Sequence, residues 1–83
     1  MDKKIKNKEL IKLLVNLGFQ HTRTKGAHLI YSFPSKNAII VMRQMKPNEI
    51  VPYFHFASIK KTIIEKGVVS QSEFEEQLEI AKK

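Results

Sequence analysis

The chain is 83 residues long, which leaves room for one domain and excludes a cofactor fold beside a substrate domain. Hydrophobic residues make up 42% and charged residues 28%, ordinary for a water-soluble domain, and the lack of cysteine excludes disulfide staples, thiolate metal sites and a cysteine nucleophile. The net charge of +7 is unevenly spread: no acidic residue lies between Leu10 and Asn48, a span that holds Lys12, Arg23, Lys25, Lys36, Arg43 and Lys46.

Such a span is the footprint of a surface that meets phosphates; the plainer reading is a solvated basic surface that aids solubility. After Gly67 the balance reverses, with Glu73, Glu75, Glu76 and Glu79 against Lys82 and Lys83. The longest purely apolar run, Ala38 to Met42, is too short to span a bilayer, and the N-terminus shows no apolar signal segment. A soluble, cytoplasmic protein with no membrane partner is expected. Residues 1–83 read as a single domain, with 1–6 a flexible basic N-terminus.

In chain order, Asn7 is a candidate N-cap and Glu9 suits the positive end of a helix. Leu10, Ile11, Leu14, Val15 and Leu17 recur at helical spacing, and Gly18 is a natural stop, so a helix is predicted over about 8–17. Phe19 to Thr24 has strand composition with imperfect alternation, and Lys25-Gly26 is a hairpin-turn candidate. His28 to Phe33 is a second strand, with Leu29, Tyr31 and Phe33 on one face and His28, Ile30 and Ser32 on the other. Pro34 to Asn37 is a turn and Ala38 to Arg43 a third strand, which makes an antiparallel meander. Gln44 to Pro52 reads as a loop, and the conformation of Tyr53-Phe54-His55-Phe56 is left open. Ser58 is a candidate N-cap for a helix to Lys66, and Ser70 to Glu73 matches a capping box for a short C-terminal helix that turns Phe74 and Leu78 inward. The fold class is α+β, in the order α-β-β-β-α with a helical appendage. The helices are expected to cover one face of the sheet.

His28 follows Lys25-Gly26-Ala27 at the start of a strand. On residue pattern alone it is a strand-start packing residue, a nucleic-acid contact or a titrating catalytic group. His21 and His55 read as an exposed strand residue and a structural residue. The spacings of the three histidines match no usual ligand pattern and carboxylates are scarce nearby, so no metal or other cofactor is expected. Tyr31, Phe33, Tyr53, Phe54 and Phe56 are candidates for stacking on bases, with Phe33 better read as core and Tyr31 undecided.

The block Lys8-Glu9-Leu10-Ile11-Lys12-Leu13-Leu14, then Leu17-Gly18-Phe19, Arg23, Lys25-Gly26-Ala27-His28 and Ile30-Tyr31, resembles the HicA (YcfA-like) family. A weaker likeness runs through Ile39-Ile40-Val41, Val51-Pro52, Ser58-Ile59 and Gly67 to Phe74. The resemblance implies a double-stranded-RNA-binding-domain-like fold, with a three-stranded antiparallel sheet covered on one face by helices. It also implies an mRNA-cleaving toxin restrained by a HicB-like antitoxin protein. The family's Gly-Ser-His motif supplies its catalytic histidine, which falls here on His28; Ala27 replaces the serine, and with it goes any hydroxyl contact.

RNA can be cleaved without a metal, because its own 2′-hydroxyl can attack the neighbouring phosphorus. A histidine suits the proton transfers, and cations suit the charge that builds on phosphorus. His28 is the expected acid/base residue. Arg23, Lys25, Gly26, Lys36, Arg43 and Lys46 are the expected phosphate contacts, and Lys60 and Lys61 join them by analogy with lysines at a helix start in double-stranded-RNA-binding domains. A non-catalytic RNA-binding module on the same face is the alternative, and a protein-interaction domain with a basic face is the third.

Overall fold

The computed structural model describes residues 4–83. Its elements are α1 (Asn7–Leu17), β1 (Gln20–Lys25), β2 (His28–Phe33), a 3₁₀ turn (Pro34–Lys36), β3 (Ala38–Arg43), α2 (Tyr53–Glu65) and α3 (Gln71–Ala81). The strands form one antiparallel sheet in the order β1-β2-β3. The α-β-β-β-α order and the C-terminal helix expected from the sequence are both present.

Register sets the two faces of the sheet. Leu29 pairs with Met42, Tyr31 with Ile40 and Phe33 with Ala38. Ala38, Ile40, Met42 and Tyr31 are buried, and this inner face meets Leu10, Leu13 and Leu14 of α1, Phe56, Ile59 and Ile63 of α2, and Phe74 of α3 in one core. Leu13, rather than Val15, supplies the third buried contact of α1. Among the described residues, no helix covers the outer face.

Gly18 ends α1 at φ +110, where its N–H reaches the carbonyl of Val15. A Cβ there would stand 2.8 Å from the Phe33 ring, so the position needs glycine for both backbone and space. Ser70 caps α3 as expected: the Glu73 N–H donates to the Ser70 hydroxyl, and the Ser70 N–H donates to the Glu73 carboxylate.

Three expectations need correction. Asn7 is not the cap of α1 but its first residue. Its backbone N–H donates to the Glu49 carbonyl at 2.8 Å and its side-chain amide to the Met45 carbonyl at 3.2 Å, while the Lys8 N–H donates to Pro47. Carbonyls of the loop between β3 and α2 thus satisfy helix-end donors that a side-chain cap ordinarily serves. Second, α2 begins at Tyr53, not Ser58, because Phe56 continues the stripe of Ile59 and Ile63 into the core. Third, Ile5 and Lys6 are packed against the loop before α2. Ile5 is buried, its carbonyl accepts from the Val51 N–H, and Lys6 bridges to Ile50. Of the rest of the expected flexible segment, Lys4 is exposed, and Met1 to Lys3 lie outside the described residues.

Gly18→Ala is expected to destabilise the protein by roughly 1–3 kcal/mol, from a side chain at positive φ and its collision with Phe33. The urea midpoint, with an unchanged slope, checks this.

Candidate functional site

The hairpin that joins β1 to β2 is two residues long, because Lys25 pairs with His28 across Gly26-Ala27. Gly26 has φ +61, and no non-glycine residue here has positive φ, which is the pattern of a type II′ turn with glycine first. A Cβ on Gly26 would meet open space, so this corner lies bare to solvent. On the other side, His28 pairs with Arg43. One bond further along, the Gln44 N–H donates to the Ala27 carbonyl at 2.7 Å.

Residues directly opposite in an antiparallel pair share a face, with Cβ atoms about 4.5–5.5 Å apart. Lys25, His28 and Arg43 therefore form a row across the outer face, with the imidazole in the middle. All three are exposed. Arg23, opposite Ile30, extends the cationic face one pair inward. Ile30, Ile39 and Val41 complete it, with Ile39 61% and Val41 49% exposed. No carboxylate stands on the paired positions of this face. A row of two cations around a proton-exchanging ring can bind a phosphate and move a proton beside it.

The sheet separates residues that the sequence left together. A bulge shifts the β1–β2 register between His21 and Arg23. Arg23 and Lys25 thereby share the face of His28, while His21 falls opposite Tyr31 on the inner face. Its ring lies 5.3 Å from that of Tyr31, and its Nε2 sits 3.0 Å from the Thr24 hydroxyl. His21 therefore does not approach His28. Burial pushes the Tyr31 phenol up from its ordinary pKa.

The remaining expected contacts lie elsewhere. Lys36 is exposed in the 3₁₀ turn at the far end of β2 and β3, and Lys46 is exposed in the loop that follows β3. Lys60 and Lys61 sit on α2, in the helical layer. Lys60 is paired with Glu75 at 2.6 Å and stands over the Phe74 ring, so it holds α3 rather than facing outward; Lys61 is exposed. Phe33 and Phe56 pack with the core, while Tyr53 and Phe54 are exposed. The sequence reading missed the apolar outer strip of Ile39 and Val41, for which the alternation of β3 was the available signal.

Residues 8–63 match the family of HicA toxins of bacterial toxin–antitoxin systems, over a span from the first turn of α1 into the last turns of α2. The chain belongs to the HicA toxin family. A comparison with curated proteins gives no match. The match includes His28 and every expected cationic contact and leaves out α3, the acidic helix. A HicA toxin has its place in a toxin–antitoxin pair, which fits an antitoxin as partner. Among the described residues of this HicA chain, no group of three or more His, Asp or Glu side chains is placed to hold a metal ion, and no helix is long and apolar enough to cross a membrane.

Gly26→Ala is expected to cost about 1–2 kcal/mol through its left-handed backbone alone, since nothing crowds the new methyl. Gly26→Asn, which tolerates that backbone better, is expected to cost less; thermal unfolding of the two variants compares them.

Proposed function

We propose that this HicA toxin is an endoribonuclease that cleaves mRNA, with His28 as the acid/base residue. The observation that carries the reading is the row Lys25–His28–Arg43 on an open face without carboxylates. In the proposed step the 2′-oxygen attacks the adjacent phosphorus and its proton passes to the His28 imidazole. The bond from phosphorus to the 5′-oxygen breaks, and that oxygen takes a proton from water. The products are a 2′,3′-cyclic phosphate and a free 5′-hydroxyl. Lys25 and Arg43, with Arg23 behind them, offset the charge that builds on the phosphorane oxygens. Lys36, Lys46 and Lys61 belong to the longer path of the strand, and bare Gly26 lets the backbone of the strand approach closely. The requirement for a 2′-hydroxyl spares DNA. The substrate supplies the nucleophile and His28 accepts its proton, so no metal is assigned to the step.

The partner in this reading is a HicB-like antitoxin that covers His28. Ile39 and Val41, solvent-exposed on the same face, suit a protein partner better than a phosphate chain. An acidic rim on that partner would speed its approach to the cationic face. Ala27 in the serine position, and the lack of a second proton-exchanging group on the face, favour one other reading: an RNA-binding module without cleavage.

His28→Ala is expected to keep the fold and to lower cleavage by roughly 10²–10⁴-fold. Long single-stranded RNA, incubated with chelator and resolved on a gel, provides the assay; an undiminished rate refutes the role of His28. A mutant that binds equally well beside a wild type that cuts nothing supports the binding module. Arg43→Ala is expected to lower affinity for single-stranded RNA and to reduce the slope of log affinity against log salt by about 0.7, the share of one phosphate contact. Titrations over a range of salt measure it.

A further inference from the structure

The sheet face ends at Arg43, and just beyond it lies a groove that the cleavage step does not use. It encloses about 440 Å³ and is lined by Arg43, Gln44, Glu49, Ile50, Phe54 and His55, among others. Its volume falls within the range of small-molecule sites. Phe54 stands in the first turn of α2 with 78% of its surface exposed, the most of any large apolar residue among those described. The core does not need it, because Phe56, Ile59 and Ile63 already fix this helix. His55, beside it, has a buried Nε2 with no hydrogen-bond partner among the described residues, which is uncommon for a buried polar atom. Glu49 brings a carboxylate to the groove, with one oxygen accepting from the Lys46 N–H at 2.9 Å.

This lining selects among the parts of a nucleic acid. A carboxylate repels a phosphate. An open phenyl ring, next to a histidine whose Nε2 has no hydrogen-bond partner among the described residues, suits a neutral planar ring with a polar edge. Arg43 joins the groove to the row that holds His28, and the Gln44–Ala27 hydrogen bond fixes the groove wall to the His28 hairpin. We propose that the groove takes one unstacked nucleobase of a single-stranded RNA, with Phe54 as the stacking surface. The inference rests on the RNA reading of the same face. Phe54 then acts as a positioning residue: it holds a base so that a neighbouring phosphate lies against Arg43 and His28. Duplex RNA, whose bases are already stacked, gains nothing from it.

The test uses a short single strand of 2′-O-methyl RNA, which has bases and phosphates but no nucleophile, with 2-aminopurine at successive positions. Binding to the wild type is expected to quench the fluorophore at one position or a narrow set of positions. Phe54→Ala is expected to abolish that quench and weaken single-strand affinity roughly 5- to 100-fold, the worth of one stacked base. Phe54→Trp should restore both, and affinity for the matching duplex should not change. Circular dichroism checks the fold, which an exposed side chain should leave intact. Unchanged single-strand affinity in Phe54→Ala overturns the inference, as does equal weakening for single strand and duplex. If the quench behaves as expected but His28→Ala still cleaves, the cleavage role fails and the base site stands. If the wild type binds no single-stranded RNA, both fail.

Discussion

The pairing of β2 with β3 is the constraint on which the rest depends. Because side chains alternate, a slip of one residue would turn Ala38, Ile40 and Met42 out to water and bring Ile39 and Val41 in. The core forbids that slip: the inner residues meet α1, α2 and Phe74 at near-zero exposure. Once the inner face is fixed, the outer one follows without further cost. His28 must stand opposite Arg43, and the two-residue hairpin must bring Lys25 to its other side. The candidate site is thus a by-product of packing on the opposite face of the same three strands.

A second constraint links the site to the helices. The loop from Gln44 to Pro52 gives its carbonyls to the first turn of α1 and pairs with Ile5 and Lys6, while its first N–H binds the hairpin at Ala27. That short segment therefore touches α1, the His28 turn and the start of α2. It also forms one wall of the groove beside Phe54. A loop held at so many points can present side chains with little loss of entropy on binding.

The paired positions of the outer sheet face carry cations and no carboxylate, whereas the helical layer mixes both signs. Cations face outward from the sheet, and the glutamates of α3 lie on the helical side, where Glu75 holds Lys60. The charged neighbours of His28 on its own face are Lys25, Arg23 and Arg43. On the outer face, exposed apolar Ile39 and Val41 stand beside these cations.

The order of elements, the stop at Gly18, the capping box of α3 and the resemblance carried by the block around His28 can all be read along the chain. These are local signals: backbone preference, cap chemistry and periodicity act within a few residues. The start of α2 was not legible, because Ser58 resembles a cap and aromatic residues have weak helix propensity; burial of Phe56 overrode both. Nor was the place of Asn7, whose helix end is served by carbonyls some forty positions away. That Arg43 stands beside His28 and His21 does not emerges only when the strands pair. The first depends on pairing between strands, the second on a one-residue bulge, and neither leaves a mark on the neighbours of those residues in the chain.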